Sequence, residues 1–317
     1  MESIALQTYP SHLISTFICD GGSDDGTQEI IRDYIVSHPQ FTLLHNVQRT
    51  TPFALNLGIN HSKADIVIIL GAHSELDKDF VKHNVSSFDV DPLIMCTGGV
   101  LDNVYENSTS QIIGAAMSSS FGVGNAHFRT GNKSGFVDTV AFGAYKKEIF
   151  NEVGLFDEEL IRNQDDEFNF RVTKAGYKIY LNHLIKCRYF VRASFQKLYR
   201  QYYQYGYWKV FVNKKHQTIT TIRQLIPLFF VLYLALLLVS SVIHKYVFLA
   251  LSVFGVLYLL LAFTFAAKQQ KGSLSGIPGV VYTFFILHFS YGLGYLKGIF
   301  DFFILNKSIK KHESLSR

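Results

Sequence analysis

The stretch Ile14-Ser-Thr-Phe-Ile-Cys-Asp-Gly-Gly-Ser-Asp-Asp-Gly-Thr27 is an apolar run ending in an acid and a glycine-rich loop, and a periodic segment from Gln28 to about Val36 follows it. Strand, loop and helix in that order begin an α/β fold, in which ligands collect at the carboxyl ends of strands. Asp20 stands at such an end. It reads either as a turn or cap acid or as a ligand contact.

The pattern continues with a strand over Phe41–His45, a helix near Pro52–His61 and a strand Ile66-Val-Ile-Ile-Leu70. That last run is unbroken in its apolarity, as expected of a parallel strand covered on both faces. It ends in Gly71-Ala-His-Ser74, where His73 is a metal ligand or a loop residue. Further helices are expected near Asp79–Ser87 and Ser110–Ser119, then a glycine-rich loop over Phe121–Gly135 that is a lid or a plain loop. Phe136–Tyr145 reads as a strand leading into a helix over Lys147–Val153.

Asn163-Gln-Asp-Asp-Glu-Phe-Asn-Phe-Arg171 comes next, with three consecutive acids where a helix begins. Acids there gain from the helix dipole, and one of them suffices as a cap. A reaction that removes a proton from a sugar hydroxyl instead needs a carboxylate fixed at a cleft mouth. Both readings apply to Asp165, Asp166 and Glu167.

Charge and hydropathy divide the 317 residues unevenly. Residues 1–185 carry 13 basic and 23 acidic residues; residues 186–223 carry 9 basic and no acidic ones. Beyond Leu225 the apolar blocks Leu225–Ile243 and Tyr246–Ala267 each approach the roughly 20 residues that a helix needs to cross a bilayer. A third block, Ile277–Leu305, includes Lys297 and Asp301 and either spans or lies in the interface. A basic collar before such spans fits a cytoplasmic flank on anionic lipid, which disfavours nucleic acid as its partner. Cys19, Cys96 and Cys187 form no CxxC pair and read as buried free thiols. The first ten residues lack the basic and apolar regions of a secretory signal.

In order, Cys19-Asp-Gly-Gly-Ser-Asp-Asp-Gly-Thr27, Gly71-Ala-His73, Gly143-Ala-Tyr145 and Gln164-Asp-Asp-Glu167 resemble the inverting family 2 glycosyltransferases of GT-A fold. Val137-Asp-Thr139, Phe142-Gly-Ala-Tyr145, Asn163-Gln-Asp-Asp-Glu167 and Arg200-Gln-Tyr-Tyr-Gln-Tyr-Gly-Tyr-Trp-Lys209 resemble the succinoglycan-type bacterial exopolysaccharide enzymes in particular. The likeness runs over roughly residues 3–225. It implies a Rossmann-like α/β GT-A head followed by transmembrane helices. Expected boundaries are 1–200 for the head, 201–223 for a basic aromatic interfacial segment, 224–305 for the membrane part and 306–317 for a basic tail.

The resemblance also implies roles. Asp165 matches the catalytic base, with Gln164 where Glu is usual, while Asp20, Gly21 and Asp25 fall at the nucleotide-sugar donor. Asp166, Glu167, Arg171, Gln204 and Trp208 fall at the acceptor and diphosphate, with Tyr207 replacing the Arg of a Gln-x-x-Arg-Trp motif. His73 matches a ligand of Mg²⁺ or Mn²⁺, and Gly71 stands where the motif's first carboxylate belongs. The implied partners are a donor, such as a UDP-sugar, a lipid-linked saccharide acceptor and membrane lipids. The implied location is a bacterial inner membrane with the head in the cytoplasm. By the same likeness, Met1 falls in the helix after the family's first strand, so that strand is expected to be missing.

Overall fold

The computed structural model describes residues 1–72, 74–131, 133–270 and 274–308. In chain order the elements are α1 (Glu2–Ala5), β1 (Thr16–Asp20), α2 (Thr27–Ser37), β2 (Phe41–His45), α3 (Thr51–His61), β3 (Ile66–Ile68), β4 (Ser74–Leu76) and α4 (Phe80–Ser87). Then come β5 (Ile94–Val104), α5 (Ser108–Met117), α6 (Ser120–Val123), α7 (His127–Thr130), β6 (Gly135–Val137), β7 (Ala141–Lys146), α8 (Ile149–Glu152), α9 (Gln164–Lys174) and β8 (Lys178–Phe190). The last four helices are α10 (Phe195–His216), α11 (Ile226–Ile243), α12 (Lys245–Gln269) and α13 (Ile277–Ile299), which runs on into a π-helical turn, Phe300–Ile304. Two compact units result: residues 1–102 with 131–189, and residues 103–130 with 190–308.

In the first unit, β1 and β2 pair in parallel, with Thr16 opposite Phe41 and Asp20 opposite His45. Phe41 of this pair is buried, as are Ile31 of α2 and Ile59 of α3. A second sheet runs β3-β7-β5-β8-β4, with β6 paired on β8. Among the described residues no ladder joins the two sheets: β1 pairs with β2, and β3 with β7. The expectation for Ile66–Leu70 therefore needs correction. Its core, β3, lies antiparallel to β7, with Ile66 opposite Lys146, and all three of its residues are only half-buried. An apolar run fixes neither the depth of burial nor the direction of the neighbouring strand.

The Phe136–Tyr145 strand is in fact two. β6 pairs with β8, whereas β7 pairs with β3 and β5, and Asp138-Thr-Val140 turns between them. The long strands β5 and β8 were not foreseen, and β8 reassigns the start of the basic collar. Lys186 and Arg188 alternate along it with the buried Ile185 and Cys187, and Arg188 pairs with Glu75 of β4 at 2.7 Å. They belong to a sheet and stand on its exposed face.

The second unit is helical. α10 and α13 approach backbone to backbone: a Cβ on Gly206 would lie 2.0 Å from the Tyr291 carbonyl oxygen, and one on Gly294 would lie 2.0 Å from that of Tyr203. Three helical stretches, Ile222–Ile243, Lys245–Gln269 and Ile277–Ile304, are long and apolar enough to cross a membrane. The third is half covered by protein, unlike the other two. Residues 103–130, expected in the head, group with this unit because α5 and α6 present apolar faces to α13. Phe121 rests among Tyr258, Phe265, Phe284 and His288, and His288 Nε2 lies 2.9 Å from the Phe121 carbonyl oxygen. The early part of the glycine-rich loop is thus packed in place, contrary to the lid reading. The expected boundary at residue 200 falls inside α10.

Candidate active site

α9 starts from Asn163, whose φ of 62° turns the chain into the helix. Gln164, Glu167, Phe168 and Val172 point inward at helical spacing and are buried. Phe168 completes an aromatic core with Tyr145, Phe150 and Phe156, the Phe156 ring stacking on it at 4.6 Å. That burial aims the first turn's other acids outward. Asp165 is exposed and Asp166 half-buried, and the Asp166 N–H donates to Asp165 Oδ1 at 2.9 Å.

Glu167 and Arg171 meet each other. Arg171 Nε and Nη2 donate to the two Glu167 carboxylate oxygens at 2.8 and 2.9 Å, while Nη2 also donates to Leu155 O at 2.8 Å and Nη1 to Val153 O. The bidentate pair fastens the turn at Val153–Leu155 to the second turn of α9. Both side chains, expected at the acceptor, are engaged in holding this helix.

Behind Asp165 runs a buried polar chain. Tyr145 OH donates to Asn169 Oδ1 at 3.0 Å, and Asn169 Nδ2 donates to Thr139 Oγ1 at 2.9 Å. Burial first, and then the nearby Cys96 and Asp165, push the Tyr145 phenol well above its ordinary value, so it stays a neutral donor. The motifs around Thr139, Tyr145 and Asp165 therefore converge on one place. Phe142 in β7 holds a left-handed φ of 51°, where β5 shifts register between Thr97 and Gly99. A non-glycine residue in that region carries strain of about 1–3 kcal/mol and is found at functional sites.

The loop after β1 is tied to Asp20, which is 7% exposed. Its Oδ2 accepts from the Gly22 and Ser23 amides at 2.8 and 2.9 Å, and its Oδ1 accepts from Ser23 Oγ at 2.6 Å. Burial opposes ionisation, but the Ser23 hydroxyl, the two amides and His45 outweigh it and hold the carboxyl below its usual range. Asp25 Oδ1 accepts from the Thr27 hydroxyl and amide at the start of α2. Gly21 lies against Arg49 of the following turn.

His73 lies outside the described residues. At Gly71 a Cβ would sit 3.4 Å from Phe142 Cε1, so an aromatic ring borders the place where the motif's first carboxylate would start. Among the described residues no three His, Cys, Asp or Glu side chains gather as metal ligands. They do not by themselves fit a divalent-metal cage.

In the second unit, Gln204 is half-buried on α10. Trp208 is 8% exposed and packs against Tyr207, Phe211 and Phe302, so it is an interior ring. Tyr207, at the motif's Arg position, donates from its hydroxyl to Asp301 Oδ2 at 3.0 Å. Lys297 meets the other Asp301 oxygen. A cavity of about 520 Å³ in the first unit is lined by residues of α1 and β4, and by none of the expected site residues.

Residues 1–154 match the model of Glycosyl transferase family 2. The chain is 30% identical over 213 residues to a dolichyl N-acetyl-alpha-D-glucosaminyl phosphate 3-beta-D-2,3-diacetamido-2,3-dideoxy-beta-D-glucuronosyltransferase of Methanococcus voltae, covering 65% of this chain and 66% of that one. It is 29% identical over 216 residues to the succinoglycan biosynthesis protein ExoA of Rhizobium meliloti, covering 67% and 64%. The match thus spans slightly less than two thirds of each relative. A mannosyltransferase from Pyrobaculum calidifontis, solved with GDP-Man and Mn²⁺, superposes over 95% of this chain and 82% of its own at a TM-score of 0.66 and 16% identity, a likeness that shows the fold. With the acidic helix, the strand-end loop and the sheet now joined to these matches, residues 1–154 carry the likeness to the family 2 glycosyltransferases, and the chain has a GT-A fold followed by long apolar helices.

Proposed function

We propose that the protein transfers a sugar from a nucleotide sugar, a UDP-sugar, to a lipid-linked saccharide in exopolysaccharide or capsule synthesis, with inversion at the anomeric carbon. The observation that carries this reading is the exposed Asp165 at the start of α9, set before the buried Tyr145–Asn169–Thr139 chain. Asp165 takes the proton from an acceptor hydroxyl, that oxygen bonds to the anomeric carbon, and the nucleoside diphosphate departs from the opposite face with the bonding pair. Asp166 orients the Asp165 carboxylate through its amide, while Glu167 and Arg171 keep the helix start in place. Asp20, Gly21 and Asp25 shape the donor loop, and Gln204 and Trp208 serve the acceptor side. The expectation of Mg²⁺ or Mn²⁺ rests on His73.

The names of the relatives support this reading: one acts on a dolichyl-linked sugar phosphate and another belongs to succinoglycan biosynthesis. Three helices long and apolar enough to cross a membrane support an acceptor met at a bilayer, and the basic residues that precede them support a head on the cytoplasmic side of the inner membrane. Purified full chain, a radiolabelled nucleotide sugar and a lipid extract test it. Asp165→Asn should cut transfer by about 10²–10⁴-fold without lowering the thermal midpoint. Undiminished transfer would remove Asp165 as the base.

The separation of β1 and β2 from the larger sheet favours a second reading, in which the fold is kept as a membrane-bound binding or assembly module. Calorimetry with UDP and Mn²⁺ distinguishes them: no binding supports the module. A polyprenyl-phosphate acceptor in place of a lipid-linked saccharide would show in the product mass.

A further inference from the structure

The carboxyl ends of β1 and β2 form a corner whose most unusual member is Arg49. Its φ is 58°, left-handed and costly for a residue with a side chain. The turn that imposes this is well fastened: Asn46 N–H donates to Asp20 O at 2.7 Å, Arg49 N–H to Asn46 O at 3.0 Å, and Asn46 Nδ2 to Thr50 O at 2.9 Å. The strained backbone sends the Arg49 side chain across the glycine pair of the neighbouring loop. A Cβ on Gly22 would lie 3.4 Å from Arg49 Nη2 and 3.6 Å from Nε, and one on Gly21 would lie 3.5 Å from Arg49 Cα. Glycine at both positions thus leaves room for the guanidinium against the loop backbone.

Arg49 is exposed, and among the described residues no carboxylate lies within ion-pair distance of its guanidinium. That is unexpected in a stretch where acids outnumber bases 23 to 13 and where Asp20, Asp24 and Asp25 share the adjoining loop. Asp20 spends its oxygens on Gly22 and Ser23. At the same corner the Thr50 hydroxyl is buried without a hydrogen-bond partner among the described residues. A planar fork of donors with no partner among the described residues, at a strand end, suits a phosphate group.

We propose that Arg49 grips the diphosphate of the nucleotide-sugar donor from above the Gly21–Gly22 backbone. The inference rests on the donor reading given above and adds a residue that none of the sequence motifs contains. The leaving diphosphate is the most anionic part of the donor, and Arg49 is the cation that lies against the Gly21–Gly22 loop.

The test is titration of the purified full chain with UDP and with uridine, for wild type, Arg49→Gly and Arg49→Lys. Loss of a charge-assisted contact should weaken UDP about ten- to a hundredfold in Arg49→Gly. Uridine should bind as before, Arg49→Lys should fall between, and the thermal midpoint of Arg49→Gly should hold or rise because glycine accepts this φ. A merely structural arginine would lower that midpoint and spare the difference between UDP and uridine. Equal UDP affinity in wild type and Arg49→Gly overturns the proposal, as does an equal loss for uridine, which would mark a base contact. If wild type binds no UDP, the donor reading falls too.

Discussion

Arg171 closes on Glu167 with two parallel hydrogen bonds of 2.8 and 2.9 Å, and the carboxylate beneath it is almost wholly shielded from water. A buried ion pair adds little over an apolar pair of similar shape, but removing one partner strands the other. Arg171→Ala should therefore cost about 3–5 kcal/mol in urea unfolding followed by the first unit's signal. Transfer should fall with it, since the Val153–Leu155 turn loses its anchor. A loss below about 1 kcal/mol, in the range of a surface pair, would contradict this.

Asp20 predicts an acid limb. Its folded carboxyl titrates below the ordinary value of about 3.9, so the unfolded chain takes up the proton more readily. The stability it contributes is complete above about pH 4 and disappears as pH falls through the folded value. Unfolding curves from neutral to strongly acidic pH should flatten in this region for Asp20→Asn. An unchanged slope would mean that other carboxylates account for the limb.

At Gly71 the expected change is a gain. Gly71→Asp restores the missing carboxylate at the cost of a small shift of the Phe142 ring, since the new Cβ starts 3.4 Å from it. Titration with UDP, with and without Mn²⁺, should show a larger metal effect in the variant than in wild type. Equal effects would indicate that this strand end takes no part in metal binding.

In the second unit, Gly206→Ala would push a methyl group to 2.0 Å from the Tyr291 carbonyl oxygen. Neither backbone can yield cheaply, so α10 and α13 must separate, at about 1–3 kcal/mol or more. Gly135→Ala meets no described atom within 4 Å and is the neutral control. Thermal midpoints in detergent compare the two.

The sequence made much of this legible where pattern and chemistry coincide. The strand Phe41–His45 matches β2 residue for residue, the run into Asp20 is β1, and the acidic segment opens α9. Three apolar blocks became three long helices. What stayed hidden depends on partners distant in the chain. β8 alternates buried residues with Lys186 and Arg188, so its charges masked its strand character. The grouping of residues 103–130 with α13 rests on how Phe121 and Ile112 pack, which no local period encodes. The left-handed backbone of Arg49 and Phe142 likewise runs against the preference of the residue type, and only the folded surroundings impose it.

The unjoined pair β1–β2 has a thermodynamic consequence. Two strands alone are marginal in water, and here one outer edge of β1 is without a ladder among the described residues. Amide exchange should find Thr16–Asp20 opening well before β5 and β8, as a separate cooperative segment of low protection. Asp20 and Arg49 both ride on that segment. A nucleotide binding there would spend part of its binding free energy on closing it, so occupancy should slow exchange in β1 and β2 while leaving the larger sheet unchanged. The donor corner would then be the part of the first unit whose order depends on its ligand.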